Sequence, residues 1–337
     1  MTNEEFLKLI EEKFEGRKAI FTDSGLASAG LLNAKQADKF IQETIEKTLV
    51  RNECRRETGA EKQVDIDKIA FADMLIQTPS AEGTKHTTTT APSTSKVQVA
   101  TVEYIIAVDL GYSALRNSIE KANFENNLMK LIANKAGSDL EAVALNSNTA
   151  TGAGVYDDNA GWFQQAATGA LAHIVNHASA DAFNTTYKTA RLFDNMLDSL
   201  PKKYLDSADL KAWRFYTHVD IEWLYRRWLT AIGSANSAAF NYLIDNVPVF
   251  YQGIPVKGVP RLSRTSAGSP AYYVSSALLC EPQNLIEYIQ TDIQFVSENV
   301  PRARTVEITG TINIDWQVEE VDALVETNLI KHNLGTA

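Results

Sequence analysis

Nineteen residues from Thr78 to Lys96 read TPSAEGTKHTTTTAPSTSK, with seven Thr, three Ser, two Pro and no apolar side chain larger than Ala. A segment like this has no large apolar group to remove from water, so it cannot enter a core. Strand-like segments flank it, Val64–Gln77 before and Val97–Asp109 after, the second (VQVATVEYIIAV from Val97) rich in Val, Ile, Thr and Tyr. Structureless loops of this length are uncommon inside a folded domain. The pattern predicts a long hairpin-like arm that leaves its own subunit and finds its order on a neighbour. Its flanking strands, not the Thr run, should then carry most of the contact energy.

The rest of the chain can build a core. It has 337 residues, 45% of them apolar, enough for two or more lobes. The formal net charge is -10 and unevenly spread: 11 Lys/Arg face 12 Asp/Glu in residues 1–63, but only 3 face 10 in residues 281–337. Tight nucleic-acid binding needs clustered Lys and Arg, which this balance does not provide. Two distant cysteines, Cys54 and Cys280, suggest neither a disulfide framework nor a metal site, and a reducing compartment fits them. The charged N-terminus lacks the apolar block of a secretion signal, and no apolar run approaches a membrane span. The chain reads as soluble.

Period marks the elements. Residues 1–33 read as an extended or partly helical arm, and 34–50 as an amphipathic helix capped by Asn33, with Phe40, Ile41, Ile45 and Leu49 on one face. From Phe124, capped by Asn123, the set Leu128, Leu131, Ile132, Ala136, Leu140, Val143 and Ala144 repeats at helical spacing for about six turns. A Gly/Asn/Asp/Ala-rich loop (146–161) marks a lobe boundary. Beyond it, helices and strands alternate: a helical stripe Ala190, Phe193, Leu197, Leu200; a strand Trp213–Val219; a helix capped by Asp220; and strands at Val247–Tyr251, Ile254–Val256, Ala271–Ser275 and Ile286–Ile289. The cleanest alternation is Val306, Ile308, Ile312, Ile314, Trp316 and Val318 against Glu307, Thr309, Thr311, Asn313, Asp315 and Gln317, one face buried and the other wet.

Candidate chemistry is sparse. His173 and His177 have the spacing of two ligands on a helix, but Ile174 stands where a zinc protease needs its Glu. Asp157-Asp158-Asn159 lacks the spacing of a calcium loop and reads as a turn. Gly25–Gly30 has Ala27 at the third position of the dinucleotide fingerprint, and no nucleophile elbow or Walker sequence occurs. Arg51, Arg55 and Arg56 form the one compact basic group. They should pair with carboxylates, on this chain or a neighbour, with a phosphate-facing patch as the weaker reading.

The order of parts, and four local stretches, resemble one family. Gly30–Ile41 (GLLNAKQADKFI) is similar to the segment leading into its first helix, and Asn117–Ala133 (NSIEKANFENNLMKLIA) to the start of its spine helix. Tyr216–Leu224 (YTHVDIEWL) resembles its strand-then-helix unit, and Tyr251–Gly258 (YQGIPVKG) its Gly-x-Pro strand. The family is that of tailed-bacteriophage major capsid proteins with the Hong Kong-97 type fold.

The resemblance implies an α+β chain: an N-terminal arm (1–63), an extended β-hairpin E-loop (64–110), a peripheral (P) domain with a long spine helix (111–150 with 300–337), and an α/β axial (A) domain (151–299). It implies a structural protein, not an enzyme, needing no cofactor. Copies would form the pentamers and hexamers of an icosahedral shell around double-stranded DNA, bound without sequence specificity. A separate scaffolding protein, a portal and a decoration protein are its implied partners, the virion its location and the host cytoplasm its place of assembly. Glu82, Lys85, Lys96, Arg51, Arg55 and Arg56 are the candidate intersubunit contacts. Nothing marks an Asn partner or catalytic carboxylate for a covalent cross-link from Lys85 or Lys96. Two other readings stand beside this one: an encapsulin-like nanocompartment around protein cargo, and a soluble enzyme whose lid is the Thr78–Lys96 stretch.

Overall fold

The computed structural model describes residues 48–71, 75, 76, 78, 81–83, 91–112, 124–169, 173–176, 191–207, 211–233, 248–267 and 272–332. Its longest strands are β11 (Leu285–Val300) and β12 (Thr305–Val318), an antiparallel hairpin. β12 also pairs antiparallel with β4 (Val102–Gly111), and β1 (Arg55–Thr58) runs parallel along β11, giving the order β1-β11-β12-β4. The alternation in β12 sends Ile308, Ile312, Ile314 and Trp316 inward, as expected. At Gly310 the missing side chain makes room for the Phe295 ring: an added Cβ would lie 2.7 Å from it. Helix α1 (Phe124–Asn146) covers this inner face, and Leu140, Val143 and Ala144 join Tyr104, Ile312 and Trp316 in one core.

A seven-stranded sheet forms the other lobe. Its order is β5 (His173–Asn176), β13 (Leu324–His332), β10 (Tyr272–Cys280), β6 (Arg214–His218), β8 (Ile254–Val259), β7 (Val249–Tyr251), with β9 (Arg264–Ala267) paired to the start of β10. This sheet separates two cores. Leu278, Cys280, Tyr216 and Leu324 face the first; Ala277, Leu279, Phe215 and Val325 face a second, built with α3 (Arg191–Ser199) and α5 (Val219–Gly233). Phe193 is its hub, 4.7 Å from the Phe215 ring and 5.1 Å from that of Tyr225. Two shorter helices are α2 (Trp162–Thr168) and α4 (Lys202–Ser207).

Strands β7 and β8 meet at Gln252-Gly253, with φ of 48° and 87°. Two consecutive left-handed residues are the signature of a type I′ hairpin turn. Gly253→Ala should therefore cost about 1–2 kcal/mol from left-handed strain, read as a lower urea midpoint with unchanged slope.

Several sequence expectations change. The strand expected at Val97–Asp109 is two strands in two sheets: β3 (Ser93–Ala100) and β4, divided at Thr101. The polar stretch is not loop throughout, since Ser93–Lys96 belong to β3 with their side chains exposed. The preceding strand stops at Ala70 rather than Gln77: β2 (Gln63–Ala70) pairs antiparallel with β3 from Gln63↔Ala100 to Ala70↔Ser93. Asp220 is inside the first turn of α5, whose helix already includes Val219. The strand expected over Ala271–Ser275 runs to Cys280, because a run buried on both faces shows no alternation. β11 is 16 residues long where only Ile286–Ile289 stood out. Of the expected helix over 34–50, residues 48–50 are non-helical and lead into a turn; the remainder, Asn33 and Asn123, and the N-terminal arm lie outside the described residues. Strand β13, from the segment expected in the peripheral domain, pairs with β10 of the axial segment, whereas β11 of the axial segment pairs with β12.

Candidate assembly interface

The hairpin β2–β3 joins the body at a buried polar knot. Thr101, 4% exposed, donates its backbone N–H to Lys62 O at 3.0 Å and its hydroxyl to Gln290 Oε1 at 2.8 Å. One residue earlier, Ala100 N donates to Asp315 Oδ2 at 2.8 Å. The other oxygen of Asp315 accepts from Asn159 Nδ2 at 2.6 Å and from Trp316 N at 2.8 Å. Burial raises the Asp315 carboxyl above the usual range, and these hydrogen bonds oppose the shift. Asp315 was expected on the wet face of β12; the hairpin base and the 146–161 loop cover it instead. On the other side of the base, Tyr288 donates to Glu61 O at 3.0 Å and Gln290 Nε2 to Ala60 O at 3.2 Å.

A second knot ties the chain just before the hairpin to the body. Glu287 of β11 has a fully buried side chain between two guanidinium groups: Arg51 Nε binds one carboxylate oxygen and Arg56 Nε the other, the latter at 2.9 Å. Arg51 also donates to Gly137 O of α1 at 3.1 Å. One turn along α1, Glu141 accepts the Leu49 N–H at 2.7 Å. Arg55 Nη1 reaches Glu319 Oε2 at 2.5 Å. Glu53 accepts the Tyr216 hydroxyl at 2.7 Å and pairs with Lys257. Residues 49–56 are thus strapped to α1, both sheets and the bend at Glu319 that follows β12. Cys54, under the same strap, has its thiol pushed up to about 12 by burial, so it is not reactive.

The expected contact residues fall into different places. Arg51, Arg55 and Arg56 all meet carboxylates of their own chain. Lys96 bridges Asp65 at 3.2 Å and Asp67 at 3.6 Å across the hairpin. Glu82 is exposed in the turn region, and Lys85 lies outside the described residues. His173 stands on a strand, not a helix, with Nε2 2.8 Å from Asp322 Oδ1; His177 lies outside the described residues. Asn159 of the Asp-Asp-Asn turn serves as a donor to Asp315. Arg226 pairs with Glu222 at 2.7 Å, one turn apart on α5, and Glu222 accepts the Gly258 N–H.

Sequence reading did not single out the hairpin's apolar side chains one by one. Ile69, Phe71, Leu75 and Ile76 are all exposed, Ile69 at 72% and Ile76 at 80%. Four large apolar groups are thus left in water on this one hairpin.

No described protein family matches the chain by its sequence profile. The chain is 29% identical over 318 residues to "Putative prophage capsid protein YqbE" of Bacillus subtilis (strain 168), covering 93% of this chain and 97% of that one. Among solved structures, it is similar to the capsid of a native GTA particle, with a TM-score of 0.61 at 16% identity over 92% of this chain and 99% of that one. It is also similar to a chain of the satellite phage P4 procapsid, with a TM-score of 0.59 at 14% identity over 85% and 95%. The chain has the Hong Kong-97 type capsid fold. In this chain, then, buried polar knots fix a projecting hairpin to a two-lobed α+β body.

Proposed function

We propose that this chain is a capsid protein whose copies form pentamers and hexamers that close an icosahedral shell around double-stranded DNA, each hairpin arm lying on a neighbouring copy. The four exposed apolar side chains of the arm carry this reading. Burying each would contribute about 1.5–3 kcal/mol before ordering costs, and rings of copies repeat that contact many times. Residues 1–63, 64–110, 111–150 with 300–337, and 151–299 act as arm, E-loop, peripheral and axial parts. Glu82 and Lys85 serve as polar contacts at the arm's tip, Lys96 and Arg56 keeping exposed surface to join them. An acidic chain suits a container that must not grip its genome. A separate scaffolding protein, a portal and a decoration protein complete the particle, which is assembled in the host cytoplasm.

Phe71→Asp with Ile76→Asp should leave a folded subunit, by circular dichroism and urea unfolding, that no longer yields shells in electron microscopy. Deleting residues 80–92 should give the same result more mildly. Loss of subunit folding would instead place the hairpin in the core. Nuclease treatment of purified particles separates the two contents: protected DNA supports the phage shell, enclosed protein an encapsulin-like compartment.

A further inference from the structure

The outer face of the four-stranded sheet carries a charge arrangement with no counter-charge among the described residues. In the β11–β12–β4 register, Glu298 lies directly opposite Glu307, and Glu307 directly opposite Asp109. Neighbouring strands are about 4.8 Å apart, so three carboxylates stand side by side within roughly 10 Å. Like charges directly opposite one another destabilise a sheet. Among the described residues, no cation pairs with any of the three. The two rows next along the same face bring Val296 and then Ile105, exposed at 66% and 67%.

A few residues beyond the acidic row, the β11–β12 turn Pro301-Arg302-Ala303-Arg304 is fully exposed. Neither Arg302 nor Arg304 has a carboxylate partner among the described residues. Arg304 is held at φ 56°, and its carbonyl accepts the Tyr112 N–H at 2.9 Å, so the turn presents both guanidinium groups from a fixed backbone. The basic tip and the acidic row thus lie on one hairpin, offset along it and unsatisfied by each other.

We propose that this face docks a second copy of the chain, with Arg302 and Arg304 of each hairpin tip paired to Glu298, Glu307 and Asp109 of the other. The charges are complementary under exchange, as a self-complementary contact between identical chains requires: the tip of one copy meets the row of the next, and the reverse. Two hairpins overlapping antiparallel by a few residues bring the opposite charges together. A phosphate backbone is repelled by the acidic row. A single metal ion is not the counter-charge, since no three carboxylate, His or Cys groups among the described residues are placed to hold one. The proposal rests on the shell reading above, but concerns a different element from the hairpin arm.

Charge exchange tests it. Arg302→Glu with Arg304→Glu should lower the yield of shells at least tenfold at about 0.1 M salt, and so should Glu298→Arg with Glu307→Arg. All four substitutions together should restore the yield to within about threefold of the unchanged chain. Circular dichroism of each variant confirms that the subunit folds. Native yield from either reversal alone, or no recovery in the combined variant, overturns the contact. The unchanged chain serves as the separating control: if it forms no shells at all, the function proposed above fails, whereas shells that ignore both reversals sink only this contact.

Discussion

Glu287→Gln should destabilise the subunit by about 3–5 kcal/mol, the largest effect expected of any single substitution here. The side chain is fully buried in β11, and its two oxygens are held by Arg51 and Arg56. An amide of the same shape keeps the volume but removes the charge. Arg51, whose side chain is only 10% exposed, then remains in the interior as an uncompensated cation beside α1. Arg56 is half-exposed and can turn to water, so Arg56→Ala should cost under about 1 kcal/mol, as surface pairs do. Urea unfolding of the unassembled subunit reads both numbers. Equal costs for the two variants would show that Glu287 is not held chiefly by the buried guanidinium. The strap it anchors leads into β2, so the loss of Glu287 should also lower shell yield by loosening the hairpin's root.

Glu326→Gln should do the opposite and stabilise the protein, at neutral and alkaline pH only. Glu326 lies on β13 between Leu278 of β10 and Ile174 of β5, 4% exposed, with Oε2 lacking any hydrogen-bond partner. Burial alone pushes its carboxyl up to about 7. In the unfolded chain a glutamate ionises near its ordinary value of about 4.3. Below that value both states are protonated and the group costs nothing. As pH rises toward 7 the unfolded chain releases its proton and the folded one does not, so stability falls across this window and levels off above it. The total is roughly 3.5–4 kcal/mol by linkage. Glutamine cannot ionise, so the variant should gain most of that amount at pH 8 and almost nothing at pH 4. Urea midpoints at the two pH values decide it. A gain that is the same at both would point to packing rather than ionisation.

Glu287 and Glu326 also show how far the sequence could be read. Both sit in runs, LIEYI and LVETN, whose apolar neighbours announce strands. A carboxylate inside such a run looks like an outward-facing position, because alternation is local and reports only period. Whether that position is covered depends on residues more than 200 places away, such as Arg51 and Arg56 for Glu287. Asp315 failed the same way: the alternation of β12 was read correctly, and only this one of its outward members is buried, by Ala100 and Asn159. The division of Val97–Asp109 was equally invisible. VQVATVEYIIAV is a continuous β-favouring run, and what splits it is the capture of Thr101 by Lys62 and Gln290.

What the sequence determined by itself was therefore the kind of elements and their order. The spine helix runs through the expected Leu140, Val143 and Ala144 and the closing strand through the expected alternation, because 3.6- and 2-residue periods are written into adjacent side chains. A polar stretch between strands announced a projecting hairpin, because nothing in it could be buried. The tertiary structure alone decided where that hairpin is rooted, which carboxylates are sealed in, and which carboxylates of the same chain the three arginines at 51–56 meet. It also placed Glu298, Glu307 and Asp109 side by side. Those outcomes depend on strand register and on partners distant in sequence, and pairing across a sheet leaves no mark in either strand alone.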